Sequence, residues 1–447
     1  MTLRRELRPM VALAGPVVLA EVGWVTMAIV DTIVVGPMGP AAIGAVGIGS
    51  ILFQALAIFG MGLLLGLDTL VSHAYGAGRL DECHRWLLHG VLLSLLVAAP
   101  MTALAFVGIS LLPLWGFTPE VLRLSVPYLR VLTWSLLPLL LYASIRRYLQ
   151  ALGIVAPITF ALVSANVINA VAAWALVYGH FGLPALGTVG SGLATLVSRI
   201  YLVAMLVWAV LRYDRHHHTS LFQVAWKPSS RKLMRLFRLG LPAATQVTLE
   251  LGVFAAASAL AGRLDSVSLA SHQITLNLAS LTFMVPLGVA SAGAIRVGHA
   301  VGRRDAAGAS RAGWTALALG ACFMGSAALA FVIAPSLLIR PFTSDRAVLA
   351  LGARLLLVAA MFQLFDGVQG VSTGILRGLG DTRTPMLMNL AGHWMLGLPI
   401  GYVLCFRWSW GVIGLWTGLS VGLIAIGCVL LLTWRHQARK LACQFAT

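Results

Sequence analysis

The sequence predicts an all-α polytopic membrane protein with twelve transmembrane helices, arranged in two similar lobes of six helices each. Three observations support this fold class: long apolar runs recur along the 447 residues, only 10% of the residues are charged, and the two halves of the chain repeat each other. The chain is 59% hydrophobic, with a mean hydropathy of +0.92. Runs of about 20 apolar residues suit membrane-spanning helices and are too long for the strands of a barrel.

Twelve runs are long enough to cross a membrane as helices. In chain order they cover residues 10–35, 42–70, 86–113, 125–146, 156–179, 188–211, 239–262, 267–295, 313–338, 353–376, 385–405 and 411–434. The first run follows Arg4, Arg5 and Arg8, as a signal peptide would. It is too long for one and contains Glu21 and Asp31, so we interpret it as a retained helix.

Basic residues lie mostly in the short loops between the apolar runs, and the net charge is +17. Their excess on the side of the two termini predicts that both termini are cytoplasmic. Because this positive-inside pattern accounts for the charge, we expect no nucleic-acid partner. The five cysteines are scattered without a CxxC pair, which favours neither a disulfide framework nor a metal site.

A basic linker divides the chain into two halves that resemble each other. The predicted domains are an N-terminal six-helix lobe at 1–212, a cytoplasmic linker at 213–237 and a C-terminal six-helix lobe at 238–447. In one ungapped register the halves share identical residues, which pair Pro16 with Pro242, Gly36 with Gly262, His73 with His299 and Arg85 with Arg311. Six helices separate equivalent points, so both halves have the same orientation. This predicts an axis along the membrane normal and a cavity between the lobes, an architecture for moving solutes.

Acidic residues within the predicted spans are the first candidates for function. They are Glu21, Asp31, Asp68, Glu250 and Asp366. A charge at a helix centre disfavours insertion by about 2.5–3.5 kcal/mol, so such a residue faces a cavity, a partner or a bound cation. Glu250 and Asp366 lie near the middle of spans seven and ten, where the second half offers no Lys or Arg at matching depth. They could hold a proton, Na⁺ or a cationic solute, because hard cations prefer oxygen ligands. The alternative is a protonated, hydrogen-bonded structural acid.

Polar side chains elsewhere in the first half could complete a binding site with Asp31. Asn166 and Asn169 are spaced i and i+3 on span five and therefore share a helix face, and Thr195 lies on span six. Their oxygens and the carboxylate could form a site for a proton or for a cation such as Na⁺. The alternative is interhelical hydrogen bonding, which is common for Asn and Thr in membranes.

Three further polar residues have weaker assignments. Gln246 lies one turn before Glu250 on the same face, so it could orient that carboxylate. Asp68 lies near the cytoplasmic end of span two, where we interpret it as structural. Glu21 has no assignment from the sequence.

No motif indicates an enzyme or a cofactor. The Walker pattern GxxxxGK[ST] and HExxH are absent from the sequence, and no loop could house a catalytic domain. The energy for transport must then come from an ion gradient or from the solute itself. One charge that crosses 100 mV supplies about 2.3 kcal/mol.

Six stretches, taken together and in order, resemble the multidrug and toxic compound extrusion (MATE) family of transporters. They are VDTIVVG at 30–36, GLDTLVSHAYGAG at 66–78, QALGIVAP at 150–157, ASHQI at 270–274, MVPLGVASAGAIRVGHAVG at 284–302 and RGLGDTRTPM at 377–386. The resemblance covers nearly the whole chain. It implies two six-helix lobes in a V and export of cationic, amphipathic compounds in exchange for Na⁺ or protons.

The resemblance also implies roles for individual residues. Glu250 and Asp366 resemble the acidic pair of the NorM-type branch, and Asp31 resembles the first-helix aspartate. Phe362 stands one turn before Asp366 where a tyrosine is expected, which weakens the case for Na⁺ coordination there. His393 likewise resembles a variant of a tyrosine position.

We therefore expect a monomeric multidrug antiporter of the bacterial inner membrane, with small cationic organic substrates, the lipid bilayer as its surroundings and no cofactor besides the coupling ion. Two alternatives stay open. A lipid-linked oligosaccharide flippase of the same superfamily would need a more basic cavity to bind pyrophosphate. A membrane-embedded transferase would need a polar catalytic loop.

Overall fold

The computed structural model describes residues 4–217, 219, 221, 223–224 and 227–446. In this part of the chain the regular structure is helical, with no strand. The helices in chain order are α1 Arg4–Val35, α2 Pro40–Leu63, α3 Gly66–Gly76, α4 Leu80–Leu111, α5 Pro119–Trp134, α6 Leu136–Ala151, α7 Ala156–Tyr178, α8 Thr188–His217, α9 Ser230–Ala261, α10 Ser266–Gly302, α11 Ala306–Ile333, α12 Pro335–Ile339, α13 Arg346–Leu379, α14 Arg383–Asn389, α15 Leu398–Tyr402 and α16 Gly411–Ala446.

The number of membrane-spanning helices agrees with the sequence prediction. Within the described ranges, eleven helices are long and apolar enough to cross a membrane, and a bent pair raises the number to twelve. The bent pair is α5 and α6, which meet at 41° on either side of Ser135 and correspond to the predicted span 125–146. The all-α polytopic fold class is therefore confirmed.

The eleventh span is not a regular α-helix, which the sequence analysis did not anticipate. Between α14 and α15 the backbone is a π-helix over Leu390–Gly397, and a second π-helix covers Val403–Arg407. Pro399 lies between them and has no N–H to donate to the carbonyl four residues earlier. A wider helical turn is one of the ways in which a helix accommodates a proline.

Close backbone contact fixes this irregular span against α16. A Cβ atom on Gly418 would lie 2.1 Å from the backbone nitrogen of Gly401, and one on Gly422 would lie 2.3 Å from the carbonyl oxygen of Gly392. Small residues spaced four apart allow such approach between membrane helices, where dispersion contacts and not hydrophobic exclusion hold helices together. Only glycine fits at these positions.

Loop aspartates begin three helices of the second half. The side chains of Asp265, Asp305 and Asp345 accept backbone N–H bonds at the first turns of α10, α11 and α13. These caps satisfy donors that have no partner inside the helix. At Asp265, the bond from the Ser268 backbone N–H holds the pKa of the carboxyl below its usual value.

The chain divides into two compact units. One consists of residues 1–18 with 245–447, and the other of residues 19–244. The first unit therefore takes the start of α1, and the second takes the start of α9. The lobes predicted at 1–212 and 238–447 stay a prediction, and parts of the predicted linker at 213–237 lie outside the described residues.

Candidate functional site

Asp31 lies on α1 and contacts α8 within the unit of residues 19–244. Its carboxylate is buried, with 7% of the residue exposed. The Thr195 hydroxyl of α8 donates to Asp31 Oδ2 at 3.0 Å. The other carboxylate oxygen, Oδ1, is buried without a hydrogen-bond partner. The structure thus brings together two of the residues that the sequence analysis grouped.

The two asparagines of α7 differ in their surroundings. Asn169 is fully buried and adjoins the Asp31 carboxylate, but its amide atoms make no hydrogen bond of ordinary geometry. Asn166 instead donates from Nδ2 to the carbonyl oxygen of Gly23 at 3.0 Å, which ties α7 to α1. Asn169 therefore belongs to the Asp31 cluster, whereas Asn166 makes an interhelical hydrogen bond.

Arg199 is the cationic neighbour of Asp31. This guanidinium is buried on α8, one turn after Thr195, and donates to the Ser135 hydroxyl. Its charge also lies over the rings of Phe53, at 4.5 Å from the centroid, and Trp24, at 5.7 Å. Such cation–π contacts help to keep a buried guanidinium charged. Arg199 acts on Asp31 through space, without an ion pair within 4 Å.

Glu250 of α9 and Asp366 of α13 form the second cluster, within the unit that contains residues 245–447. Their carboxylates are close enough to influence each other electrostatically. Asp366 is 9% exposed and Glu250 is partly buried. Among the described residues neither has an ion pair with a basic side chain within 4 Å. Two like charges in a poorly hydrated site repel each other unless a cation or a proton intervenes.

Two glutamines adjoin this acidic pair. Gln246 lies one turn before Glu250, and its Nε2 donates to Glu250 Oε2 at 3.4 Å. Gln369 lies one turn after Asp366 on α13 and adjoins the Glu250 carboxylate without a hydrogen bond of ordinary geometry. Both glutamines are buried. Their amide oxygens add neutral ligand atoms to the four carboxylate oxygens.

An aromatic and histidine network packs beside the second cluster. Phe362, one turn before Asp366, contacts Trp416 with ring centroids 5.9 Å apart. The Trp416 indole N–H donates to His272 Nδ1 at 2.9 Å, and His272 Nε2 lies 2.9 Å from the Ser258 hydroxyl. Nδ1 is therefore an acceptor, and the neutral ring carries its proton on Nε2. These residues form an apolar wall with satisfied polar atoms.

The remaining two intramembrane acids have fixed basic partners. Arg146 Nη2 pairs with Glu21 Oε1, and Arg147 Nη1 lies 3.3 Å from Asp68 Oδ2. The partners are consecutive residues of α6 and neutralise acids on α1 and α3. These pairs explain Glu21, which the sequence left unassigned, and they match the structural interpretation of Asp68.

The surroundings restrict how either cluster could hold a metal ion. Within the described ranges, no three His, Cys, Asp or Glu side chains come together. A Na⁺ ion at Glu250 and Asp366 would thus need amide oxygens from Gln246 or Gln369 to complete its oxygen ligands. At Asp31, the hydroxyl of Thr195 and the amide of Asn169 would serve, but Arg199 opposes a second cation there.

Sequence reasoning missed three neighbours of the clusters, Ser191, Arg199 and Gln369, and helical spacing could have found all three. Ser191, Thr195 and Arg199 recur every four residues along one face of α8, and Ser191 also adjoins Asp31. Gln369 follows Asp366 by three residues, hence on the same face of α13. Each lies one helical turn before or after a residue that the sequence analysis had already selected.

Comparison with known sequences relates the chain to one family of transporters. Residues 16–175 and 242–403 match the family profile described as MatE. A "Probable multidrug resistance protein NorM" from Mesorhizobium japonicum is 36% identical over 446 residues, which covers 98% of this chain and 95% of that protein. A "Multidrug resistance protein NorM" from Photobacterium profundum is 34% identical, with coverage of 97% and 96%.

Solved structures share the fold at lower sequence identity. The crystal structure of "MATE in the bent conformation" superposes with a TM-score of 0.89 at 19% identity and covers 100% of both chains. The eukaryotic MATE transporter AtDTX14 superposes with a TM-score of 0.86 at 23% identity and covers 99% of both chains. At these identities the likeness concerns the fold alone.

Proposed function

Because the chain belongs to the MatE family of membrane transporters, we propose that it is a secondary active multidrug exporter. It exchanges cationic, amphipathic compounds for Na⁺ or H⁺ by alternating access. Family membership confirms the resemblance inferred from the sequence and the prediction of a transporter and not an enzyme. The coupling ion, the substrate class and the site residues belong to the proposal.

The observation that supports this proposal most strongly is the division of the intramembrane acids into two kinds. Glu21 and Asp68 are neutralised by Arg146 and Arg147. Glu250 and Asp366 adjoin each other with no basic side chain in ion-pair contact among the described residues. A carboxylate pair without a fixed counter-ion needs an exchangeable positive charge, whether a proton, Na⁺ or the solute.

Exchange follows from competition for this pair. A cationic solute neutralises the two carboxylates, and an incoming proton or Na⁺ removes the charge that attracts the solute. Each ligand shifts the equilibrium between the inward-open and outward-open states only by its differential affinity for the two. Competition for one charged pair couples the two fluxes, because the pair cannot hold the solute and the coupling cation together, and the ion gradient supplies the energy. The acidic character of the pair also suits an organic cation better than the pyrophosphate of a lipid-linked sugar.

The Asp31 cluster is the second part of the proposal. Asp31, Thr195 and Asn169 form a protonation or cation site in the other unit. Arg199 keeps that site partly neutralised and so favours the proton over Na⁺ there. The proposal further places the protein as a monomer in the bacterial inner membrane, with both termini in the cytoplasm.

Transport by the purified protein in proteoliposomes tests this function. Ethidium export is measured under a Na⁺ gradient alone and under a pH gradient alone, for the unmodified protein and for Glu250→Gln. We expect export with at least one gradient and its loss in Glu250→Gln, because a neutral amide cannot take up a proton and lacks the negative charge that attracts a cation.

Glu120→Gln is the matched control, since Glu120 is an exposed acid in the first turn of α5. It should export ethidium like the unmodified protein. Equal export by Glu250→Gln and the control would contradict the role of the pair. Absence of ethidium exchange under both gradients in the unmodified protein would contradict the proposed function.

A further inference from the structure

A basic groove lies between the beginning of α11 and the end of α16, away from both acidic clusters. Its volume is about 730 Å³, and its walls carry Arg304, Arg435 and Arg439 together with Trp314. Arg435 and Arg439 are spaced i and i+4 on α16, so their side chains share one face. Arg304 reaches the groove from the tight turn between α10 and α11, where its φ is +57°. Three positive charges from two elements therefore face one cavity.

Among the described residues, the arginines of the groove have no acidic partner. Within the described part of the chain, none of Arg304, Arg435 and Arg439 has a carboxylate within 4 Å. Asp305 also lines the groove, but its side chain accepts the Gly308 backbone N–H at 2.7 Å and lies 3.9 Å from Arg311. The groove thus keeps an excess of positive charge.

The depth of the groove along α16 matches the headgroup level of a bilayer. Arg435 lies 24 residues after Gly411, which is about 36 Å along the axis at about 1.5 Å per residue. A hydrocarbon core is about 30 Å thick, so a core that began at Gly411, the start of the predicted span, would end before Arg435. Trp314 is 39% exposed on α11, as is typical of an indole at the membrane interface.

The repeat offers an internal comparison for this groove. In the register that pairs Arg85 with Arg311, His84 of α4 is equivalent to Ser310, a wall residue of the groove. In the register that pairs Gly190 with Gly414, Asp214 of α8 is equivalent to Ala438, another wall residue. His84 and Asp214 therefore lie on the surface of the first half that corresponds to the groove.

In the first half, the chain itself covers that surface. His84 Nε2 donates to the carbonyl oxygen of Thr219 at 3.1 Å, and Asp214 Oδ1 accepts the Leu221 backbone N–H at 2.9 Å. Leu221 is 4% exposed. The second half has no such covering segment among the described residues. Arg304 and Arg435 stand where the first half has Gly78 and Leu211, whereas Arg439 is matched by Arg215. The same architectural position is thus filled by protein in one half and open and basic in the other.

We propose that the α11–α16 groove binds the headgroup phosphodiester of an anionic phospholipid. The three arginines hold the phosphate, and Trp314 lies against the glycerol and the start of the acyl chains. Basic pockets between membrane helices suit anionic lipid headgroups through charge-assisted hydrogen bonds. The lipid is the occupant that completes, in the second half, the surface that residues 219 and 221 cover in the first.

Native mass spectrometry of the full-length protein in detergent tests this site. Dioleoyl phosphatidylglycerol and dioleoyl phosphatidylcholine are titrated separately, and the apparent Kd of the first bound lipid is measured. The triple variant R304Q/R435Q/R439Q should bind phosphatidylglycerol about 100-fold more weakly, at roughly fivefold for each basic residue near an anionic headgroup. Phosphatidylcholine binding should not change.

The matched control R231Q/R303Q/K440Q removes the same charge from positions outside the groove, including the chain neighbours of Arg304 and Arg439. It should weaken phosphatidylglycerol binding by less than about fivefold. Equal weakening in both triple variants, or none in the groove variant, would overturn the site. Ala442→Glu keeps every arginine and adds a carboxylate to the wall, so it should also weaken binding.

Inorganic phosphate, titrated in the same way, separates a lipid from a free anion. The proposal expects no saturable phosphate binding. Saturable binding of phosphate that the groove variant loses, with phosphatidylglycerol bound no better than phosphatidylcholine, would overturn the lipid assignment. Thermal unfolding of each variant shows whether it is folded, so that lipid binding is compared only between folded proteins.

Discussion

The Asp31 cluster and the Glu250–Asp366 cluster differ in their fixed charge. Asp31 has Arg199 as a charged neighbour on α8. Among the described residues, Glu250 and Asp366 adjoin each other and two neutral glutamines and have no basic side chain in ion-pair contact. The first cluster combines one acidic and one basic side chain, whereas the second combines two acidic side chains. Under the proposed function, we therefore expect the second cluster to depend more strongly on an exchangeable cation than the first.

The difference also shows that the two clusters are not copies of one site. In the ungapped register of the repeat, Asp31 is equivalent to Ala257, and Glu250 is equivalent to Trp24. The repeat preserves glycines, prolines, a histidine and an arginine but not these acids. Duplication of the fold has thus left each half with its own charged residues, and the predictions below test whether the fixed cation is what separates them.

A fixed cation placed in the second cluster should have the largest effect. Gln369→Lys puts an ammonium group beside Glu250 and Asp366. At about 4 Å and an effective dielectric constant of about 20, one such contact is worth up to about 4 kcal/mol, or nearly 1000-fold in cation affinity. We expect ethidium exchange in proteoliposomes to disappear. Gln369→Met is the control for loss of the amide, and unchanged exchange in Gln369→Lys would show that the pair needs no exchangeable cation.

Breaking a fixed pair should reduce stability and leave coupling intact. Glu21→Gln leaves the buried Arg146 guanidinium without its carboxylate, a change that costs about 3–5 kcal/mol in buried pairs. We expect a lower thermal unfolding temperature in detergent and an unchanged ratio of ethidium exported to cation imported. The double variant E21Q/R146M should recover much of the stability. A changed stoichiometry would place Glu21 among the coupling residues.

Removal of Arg199 should make the first cluster resemble the second. In Arg199→Gln the Asp31 carboxylate loses its positive neighbour and binds external cations more tightly. The expected shift in the half-saturating concentration of the coupling cation is about 10-fold, equivalent to about 1.4 kcal/mol. Dependence of export on pH and on Na⁺ is the measurement. Identical dependence in Arg199→Gln would mean that its charge does not reach the coupling site; Asp31→Asn in the same assay shows whether Asp31 takes part.

The smallest effect should separate the two asparagines of α7. Asn166→Ala loses the hydrogen bond to the Gly23 carbonyl, which should lower the free energy of unfolding by about 1 kcal/mol in a thermal unfolding measurement. The cation dependence of export should not change. Asn169→Ala should change the cation dependence of export because its amide adjoins Asp31. A coupling change in Asn166→Ala alone would reverse this assignment.

The sequence predicted what depends on composition and on one helix at a time. Apolar runs predicted the spans, and the one-turn spacing placed Gln246 and Glu250 on one helix face, where the structure has a hydrogen bond between them. The contact between Asp31 and Thr195 was also among the expectations, although 164 residues separate them. This contact could be predicted because polar residues within apolar spans are few and tend to pair with each other.

The sequence did not predict the contacts that depend on how each helix is rotated about its axis. Glu21 and Arg146 lie 125 residues apart, and either could have met another polar group. A membrane helix is apolar on nearly every side, so no periodic pattern shows which face meets a neighbour. The π-helical turns near Pro399 were not predicted either, because a proline in a helix indicates a distortion but not its geometry.

The glycine contacts between the eleventh span and α16 limit where the second half can move. Gly401 and Gly392 touch the α16 backbone so closely that even one methyl group would force the two helices apart. Helices that meet backbone to backbone cannot roll over each other without losing that fit. The last two spans would then travel as one piece through a transport cycle, and the flexing that opens a path for the solute must occur in other helices.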